Sequence, residues 1–228
     1  AFMDHYAHDR VFSSIDHHGR YAYNNQPNIG LWNLSRFAEC LLHLIDKDQG
    51  KAVEIAKDHL EGFISSYQNH WLTGMRAKLG LNSRLDQDRV LLEDLFAIMA
   101  SSNVDFTLAF HHLSLLGMDA SNDDAILAFF NHTESFTHWA DKWRQRLRQE
   151  ASDDNERKAM MRRFNPVYIP RNHLIEAAIR AAEDDGDFSV FHALHDVLKQ
   201  PYVFQAGKQV YMQPPQPEEI VHKTFCGT

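Results

Sequence analysis

No proline falls between Pro27 and Pro166. Proline breaks a helix by clashing with the preceding turn and by lacking an N–H, so a long stretch free of it favours helices. The apolar spacing agrees. Leu31, Leu34, Ala38, Leu41, Leu42 and Ile45 recur at three- and four-residue steps, as do Val53, Ala56, Leu60, Phe63, Ile64, Tyr67, Trp71 and Met75. Leu91, Leu95 and Ile98 follow the same rule, and so do Phe136, Trp139, Trp143 and Leu147. Each set is one apolar helix face.

The spacing predicts helices over 29–46, 50–79, 84–100, 104–117, 122–131, 134–149 and 152–163. Two more follow Pro170, which suits a first turn. Leu174, Ala178, Ile179 and Ala182 form a stripe that Gly186 can end. Asp187 can cap a helix carrying Phe191, Leu194 and Leu198 before Pro201. The short link makes these two a hairpin. No strand pattern persists. The expected fold is all-α, with a helical body over 29–199. Residues 1–28 are rich in His, Tyr, Asn and Ser without helical period. Residues 200–228 hold four of the seven prolines and should run extended over the surface.

A chain of 228 residues, 44% hydrophobic and 24% charged, with mean hydropathy −0.45, has the profile of a globular protein with a sizeable core. Lys and Arg number 23 against 31 Asp and Glu, a net charge of −8, which argues against a general nucleic-acid binder. No apolar run approaches the roughly 18 residues of a membrane span. Cys40 and Cys226 are too few for a disulfide scaffold, and no signal peptide opens the chain, so a cytoplasmic location is expected. The chain opens on Ala1 rather than Met and is read as a piece of a longer protein.

Fifteen histidines raise the question of a metal site. His5 and His8, His17 and His18, and His192 with His195 are the candidates, but ligation needs donors converging on one point, and neither His8-Asp9 nor His195-Asp196 has the context of a metal phosphohydrolase. No metal ligand is assigned. The basic residues Lys142, Arg144, Arg146, Arg148, Arg157, Lys158, Arg162 and Arg163 are interleaved with Asp141, Glu150, Asp153, Asp154 and Glu156, the pattern of an exposed, salt-bridged face. Phosphate-cradling glycine motifs and G-x-S-x-G are absent. Cys40 lies in phase with Phe37 and Leu44, which predicts burial. Cys226, in the tail, is the redox candidate.

The most informative segment is Asp16-His17-His18-Gly19-Arg20-Tyr21-Ala22-Tyr23-Asn24-Asn25-Gln26-Pro27. It is too polar for a core and is expected to stay ordered through a network: Arg20 on a carboxylate such as Asp16, and Asn25 and Gln26 on backbone groups before Pro27. A structural clamp is one reading and a direct substrate or nucleotide contact is the other.

Together with Trp32-Asn33-Leu34 and Arg36, this segment resembles the selenoprotein O family, also called the YdiU family. Asn165-Pro166, then Ile169-Pro170-Arg171-Asn172-His173 and Glu176-Ala177-Ala178-Ile179, form a second matching block. Phe225-Cys226-Gly227-Thr228 is similar to the bacterial members' C-terminus. The resemblance implies a bacterial pseudokinase, a protein adenylyltransferase with a protein-kinase-like fold. It passes AMP, or UMP, from a nucleoside triphosphate to Ser, Thr or Tyr of proteins, using ATP with Mg²⁺ or Mn²⁺. Ala1-Phe2-Met3-Asp4 resembles the stretch just after the family's metal-binding Asp-Tyr-Gly. The family's nucleotide and metal ligands therefore lie upstream, and no catalytic residue carries over. On this resemblance 1–28 is an activation-loop-like segment, 29–199 a helical C-lobe and 200–228 an irregular tail. Many members carry a Cys before the Asp16 block, a partner for the C-terminal Cys; the aligned residue here is Phe12.

The expected partners are the protein substrates of the parent and the missing N-terminal part of the same protein, with no nucleic acid and no membrane. The isolated chain is expected to bind no cofactor. Two other classes stay open: a non-catalytic helical interaction module and a His-based metal-dependent hydrolase.

Overall fold

The computed structural model describes residues 2–151 and 153–225. Among them ten α-helices and three short 3-10 turns follow one another and no strand forms. Helix α1 spans Gln26–Ile45, with Pro27 in its first turn, where the missing N–H is harmless. α2 (Gln49–Glu61) and α3 (Phe63–Lys78) replace the single helix expected over 50–79. The break is Gly62, which ends one helix and opens the other. Glycine is the weakest non-proline helix former, and the stripe from Val53 to Met75 hides the break because both helices keep the same period.

α4 (Asp88–Ser101), α5 (Phe106–Leu113), α6 (Asp124–Leu127), α7 (Thr133–Leu147) and α8 (Asp154–Phe164) follow. Aspartate side chains cap three of the helices: Asp48 accepts from the Lys51 N–H, Asp105 from Leu108, and Asp153 from Asn155 and Glu156. α9 (Asn172–Asp185) starts two residues after Pro170 rather than on it, and Gly186 closes it at φ +67°. α10 (Ser189–Leu198) folds back on α9, with Asp187 accepting from the Ser189 N–H.

The main core lies between α4, α5 and α7. The α7 stripe supplies Phe136, Trp139, Trp143 and Leu147, all buried against Leu92, Leu95, Met99 and Leu113. The two tryptophans stack at 5.9 Å. Trp139 Nε1–H donates to the Leu91 carbonyl at 2.8 Å and Trp143 Nε1–H to Leu79, also at 2.8 Å, so neither buried indole is left without an acceptor. Gly80, at φ +78°, lies so close to α8 that a Cβ there would fall 2.8 Å from Arg157 Cγ and 2.9 Å from Met161 Sδ. Only glycine allows that approach. A second, smaller core joins Leu108, Val167, Tyr168 and Val197 to Met212 of the tail.

The basic residues of α7 and α8 correct one expectation. Arg144, Arg146 and Arg157 are buried, not exposed. Arg144 makes a two-pronged contact with Asp123 at 2.6 and 3.0 Å. Arg146 reaches Asp88 and Glu150, each at 2.7 Å, and Arg76 of α3 reaches the other Asp88 oxygen at 2.6 Å. Arg157 donates to the Leu116 carbonyl and to Asp154. Charges survive burial only when paired in this way.

The kinase-like C-lobe with an activation-loop-like segment at its start is also corrected. Residues 2–22 are not a loop lying outside a helical body. Met3 and Tyr6 belong to the main core, and Tyr6 stacks on Phe96 at 4.7 Å. The Tyr6 N–H donates to Val104 O at 2.9 Å and Phe106 N–H donates to Asp4 O at 2.8 Å, around an antiparallel bridge of His5 with Asp105. Main-chain pairing and buried aromatic area make this segment a strap built into the fold. The tail is also anchored: Ser14 N–H donates to Thr224 O at 2.7 Å and Thr224 Oγ1–H to Phe12 O at 2.9 Å.

Removing the carboxylate that both Arg76 and Arg146 use leaves two buried cations short of a partner. Asp88→Ala should lower unfolding free energy by about 3–5 kcal/mol in urea titrations. Burial alone would raise the Asp88 carboxyl, but bonds from Arg146, the Leu85 N–H and Arg76 outweigh it and hold it below the ordinary value. Its contribution is therefore full above pH about 4 and lost as pH falls further, and the variant should show a flatter acid limb.

Candidate functional site

The loop from Asp16 to Pro27 folds around one carboxylate. Asp16 Oδ1 accepts from the Arg20 N–H at 2.8 Å and Oδ2 from the Tyr21 N–H at 2.8 Å. These bonds, with the Tyr21 N–H foremost, hold its carboxyl below the usual range. Gly19, at φ +64°, makes the turn that brings both N–H groups inward. Asn25 Nδ2–H donates to Arg20 O at 2.7 Å, and Gln26 Nε2–H donates to Tyr21 O. The loop is pinned from outside by Tyr23 N–H to Arg10 O at 2.9 Å and Asn24 N–H to His8 O at 3.1 Å.

The structure thus brings Asp16, Arg20, Asn25 and Gln26 together, with a different division of labour from the one expected. Asp16 takes the backbone of Arg20, not its guanidinium. The guanidinium lies 4.2 Å from the Trp32 ring centre on α1, and Arg36 approaches the same ring at 5.6 Å. The sequence carried the acceptor and the donors but not the pairing, because an Asp can satisfy nearby N–H groups as readily as a charged side chain.

Cys40 is exposed, and its thiol donates to Arg36 O at 3.4 Å. The expected burial fails because the side of α1 that carries Phe37, Cys40 and Leu44 is uncovered, whereas Leu31, Ala38, Leu41, Leu42 and Ile45 beside it are half-buried. Phe37 is 60% exposed, Leu44 72% and Trp32 46%, and Ile29 is the one buried residue of the helix. Periodicity identifies an apolar face but not whether anything covers it. Cys226 lies outside the described residues.

Among the described residues no three His, Cys, Asp or Glu side chains gather to hold a metal ion. His195 stacks on Phe191 at 5.8 Å, and His192 meets the same ring edge-on at 5.4 Å, so this pair is engaged in packing. Among the described residues no helix is long and apolar enough to cross a membrane.

Two features escaped the sequence reading. A cleft of about 730 Å³ runs between the strap and α3–α4, lined by Tyr6, Tyr23, Trp71, Phe96, Phe106 and Lys78. Burial pushes the Lys78 ammonium down to about 8 and, with Tyr6 and Tyr67 beside it, the Tyr23 hydroxyl up to about 12. Lys78 donates to Phe164 O at 2.9 Å and Asn165 Oδ1 at 3.2 Å, tying α3 to the end of α8. The other is Arg171, whose guanidinium bridges Asp4 of the strap and Asp105, the cap of α5. Its place in the second matching block was the one available signal.

The comparisons with known proteins agree with one another. A family model described as Protein adenylyltransferase SelO matches residues 1–199. Proteins named Protein nucleotidyltransferase YdiU from Rhizobium etli and Rhodopseudomonas palustris are each 49% identical over 228 residues, and one from Rhizobium leguminosarum is 48% identical. Each alignment covers 100% of this chain and 46% of the relative, so the chain spans about half the length of these curated relatives.

Asp16→Ala should release the Arg20 and Tyr21 amides, seen as faster hydrogen exchange at those two positions while the α7 core stays protected. Arg20→Ala should cost only about 0.5–1 kcal/mol, the range of an exposed cation–π contact, and leave that exchange unchanged. Equal exchange effects from both substitutions would refute the assignment.

Proposed function

The chain belongs to the SelO family, and from that premise we propose that it is the C-terminal helical part of a protein that transfers AMP to Ser, Thr or Tyr hydroxyls of other proteins. The match over residues 1–199 carries this reading. In the reaction the hydroxyl oxygen bonds to the α-phosphorus of ATP, the bond to the leaving oxygen breaks, pyrophosphate departs, and the hydroxyl proton passes to a base. Such chemistry asks for positioning and for neutralisation of phosphate charge. The described residues of this chain gather no donor set for a divalent ion. In this reading the metal, the nucleotide and the base belong to the portion of the relatives that the chain does not cover. UMP transfer is the family's second option.

The open side of α1 gives this chain its role. Leu34, Phe37 and Leu44 lie on one side of that helix and present an uncovered apolar face. We assign it to the remaining half of the longer protein, because the relatives carry about as much chain again. Burying aromatic and leucine side chains at such a seam yields about 25 cal/mol per Å² of apolar surface.

Two measurements test these points. The purified 228-residue chain, given ATP labelled at the α-phosphate with Mg²⁺ or Mn²⁺, should incorporate no label, whereas the longer protein containing it should label protein hydroxyls. Incorporation by the isolated chain would overturn the division of labour. Phe37→Asp should leave the isolated chain's unfolding free energy within about 0.5 kcal/mol, as expected of an exposed site, while sharply reducing labelling by the longer protein. Full activity in that variant would remove α1 from the seam.

A further inference from the structure

A second cleft, of about 640 Å³, lies between the N-terminal strap, the first turn of α9 and the tail. Two polar side-chain atoms of its lining, one on Ser13 and one on His173, have no hydrogen-bond partner among the described residues. Ser13 is 7% exposed, and among the described residues its hydroxyl meets no acceptor or donor. His173 Nδ1 is likewise buried and unpaired. Buried polar groups are nearly always satisfied, and two orphans on one cleft point to something that completes them. Asn103, on the same wall, holds φ +51°, the one non-glycine residue in the left-handed region among those described. That backbone closes α4, with the Asn103 N–H donating to Ala100 O and the Val104 N–H to Met99 O, and is accounted for by the helix end alone.

The charge pattern selects the ligand. Asn172 and His173 place the start of α9 in the cleft, and this end has no side-chain cap and no acidic residue in its first turn. Its amides and the positive end of the helix dipole are open to an anion. Arg10 also lines the cleft; its guanidinium donates to the His5 carbonyl at 3.3 Å, an exposed contact that leaves its charge unneutralised. The carboxylate in the lining is Asp4, already held by Arg171. Glu219 stands near His173 and keeps its charge, its carboxylate accepting from the Gln216 N–H, but it lies outside the residues that line the cleft. A cation would find no set of three donors here, as none exists among the described residues. A tetrahedral oxyanion accepts bonds from several directions and matches hydroxyl, imidazole, guanidinium and main-chain N–H together.

We propose that this cleft binds a phosphate-type oxyanion, held by Ser13, His173, Arg10 and the first-turn amides of α9. The proposal stands on this geometry and does not depend on nucleotide transfer. Its shared chemistry is a phosphate group, free or carried on a nucleotide.

The test is a titration of the ¹⁵N-labelled 228-residue chain with inorganic phosphate at constant ionic strength. The Asn172, His173 and Leu174 amides should shift and saturate. Ser13→Ala and His173→Gln, each checked for native circular dichroism, should each weaken binding about tenfold, the factor that corresponds to about 1.4 kcal/mol. Absence of saturable shifts, or unchanged affinity in both variants, would overturn the proposal. A parallel titration with AMP separates the sources. Tighter binding than inorganic phosphate, lost in the same variants, identifies a nucleotide-borne phosphate. Equal affinity identifies free phosphate, and both results support the site. AMP shifts confined to residues outside the cleft, with no phosphate response, would count against it.

Discussion

The carboxylate of Asp88 organises the fold. One oxygen takes Arg76 from α3 and the Leu85 N–H from the turn before α4; the other takes Arg146 from α7. Three helices meet at one anion buried to 1% exposure. Arg146 then passes its second contact to Glu150, whose carboxylate collects the Ser83 hydroxyl and the Asn82 and Ser83 N–H groups. A paired ion cluster in a dry interior gains little over a well-packed apolar one. Its consequence is directional: hydrophobic burial lets α7 slide along α4, whereas a carboxylate with two guanidinium partners allows one register. The indole bonds of Trp139 and Trp143 to Leu91 and Leu79 lock the same register a turn apart.

A second anion–cation knot ties the N-terminal strap to this frame. Arg171 sits between Asp4 and Asp105, and Asp105 also caps α5 through the Leu108 N–H. The start of the chain, the α5 cap and the start of α9 therefore share one guanidinium, which is 1% exposed. This is why the N-terminal segment, polar in composition, runs as a strap through the structure. It also leaves the α9 amides uncapped, since the guanidinium of the cap residue Arg171 has no acceptor to offer them.

What the sequence made legible follows from how local each signal is. The α7 stripe and the Gly186 terminus were readable because period and left-handed backbone are properties of a few neighbouring residues. The hairpin of α9 and α10 was readable from its short link. The Gly62 break was not, because two helices in phase look like one. The depth of Arg144, Arg146 and Arg157 was hidden because interleaved acids serve an exposed face and a buried network alike. Cys40 was misplaced because an apolar stripe does not declare its partner. In the loop, the residues that gather were identifiable, but the exchange of roles between the Arg20 backbone and its side chain depends on Trp32, sixteen positions from Asp16 and visible only in three dimensions.

The arrangement divides into a closed part and an open part. Helices α4, α5 and α7 bury aromatic rings on each other, α8 adds Met161 to the same core, and a buried ion pair joins α4 to α7. α1 buries Ile29 alone, and α9 and α10 leave Phe188 and Phe191 at 58% and 49% exposure. An isolated twenty-residue helix is marginal in water, so α1 persists through its neighbours α2 and α3 and through the Arg20 guanidinium on Trp32. Trp32 adds little to the stability of this chain, because nearly half its surface stays in water. Its ring faces the side on which the loop from Asp16 to Pro27 also ends. Unlike Asn165 and Arg171 of the second matching block, which are buried, Trp32 and Arg36 of the first thus contribute little to this chain's own core. That placement is the reason to look for their role in what packs against them.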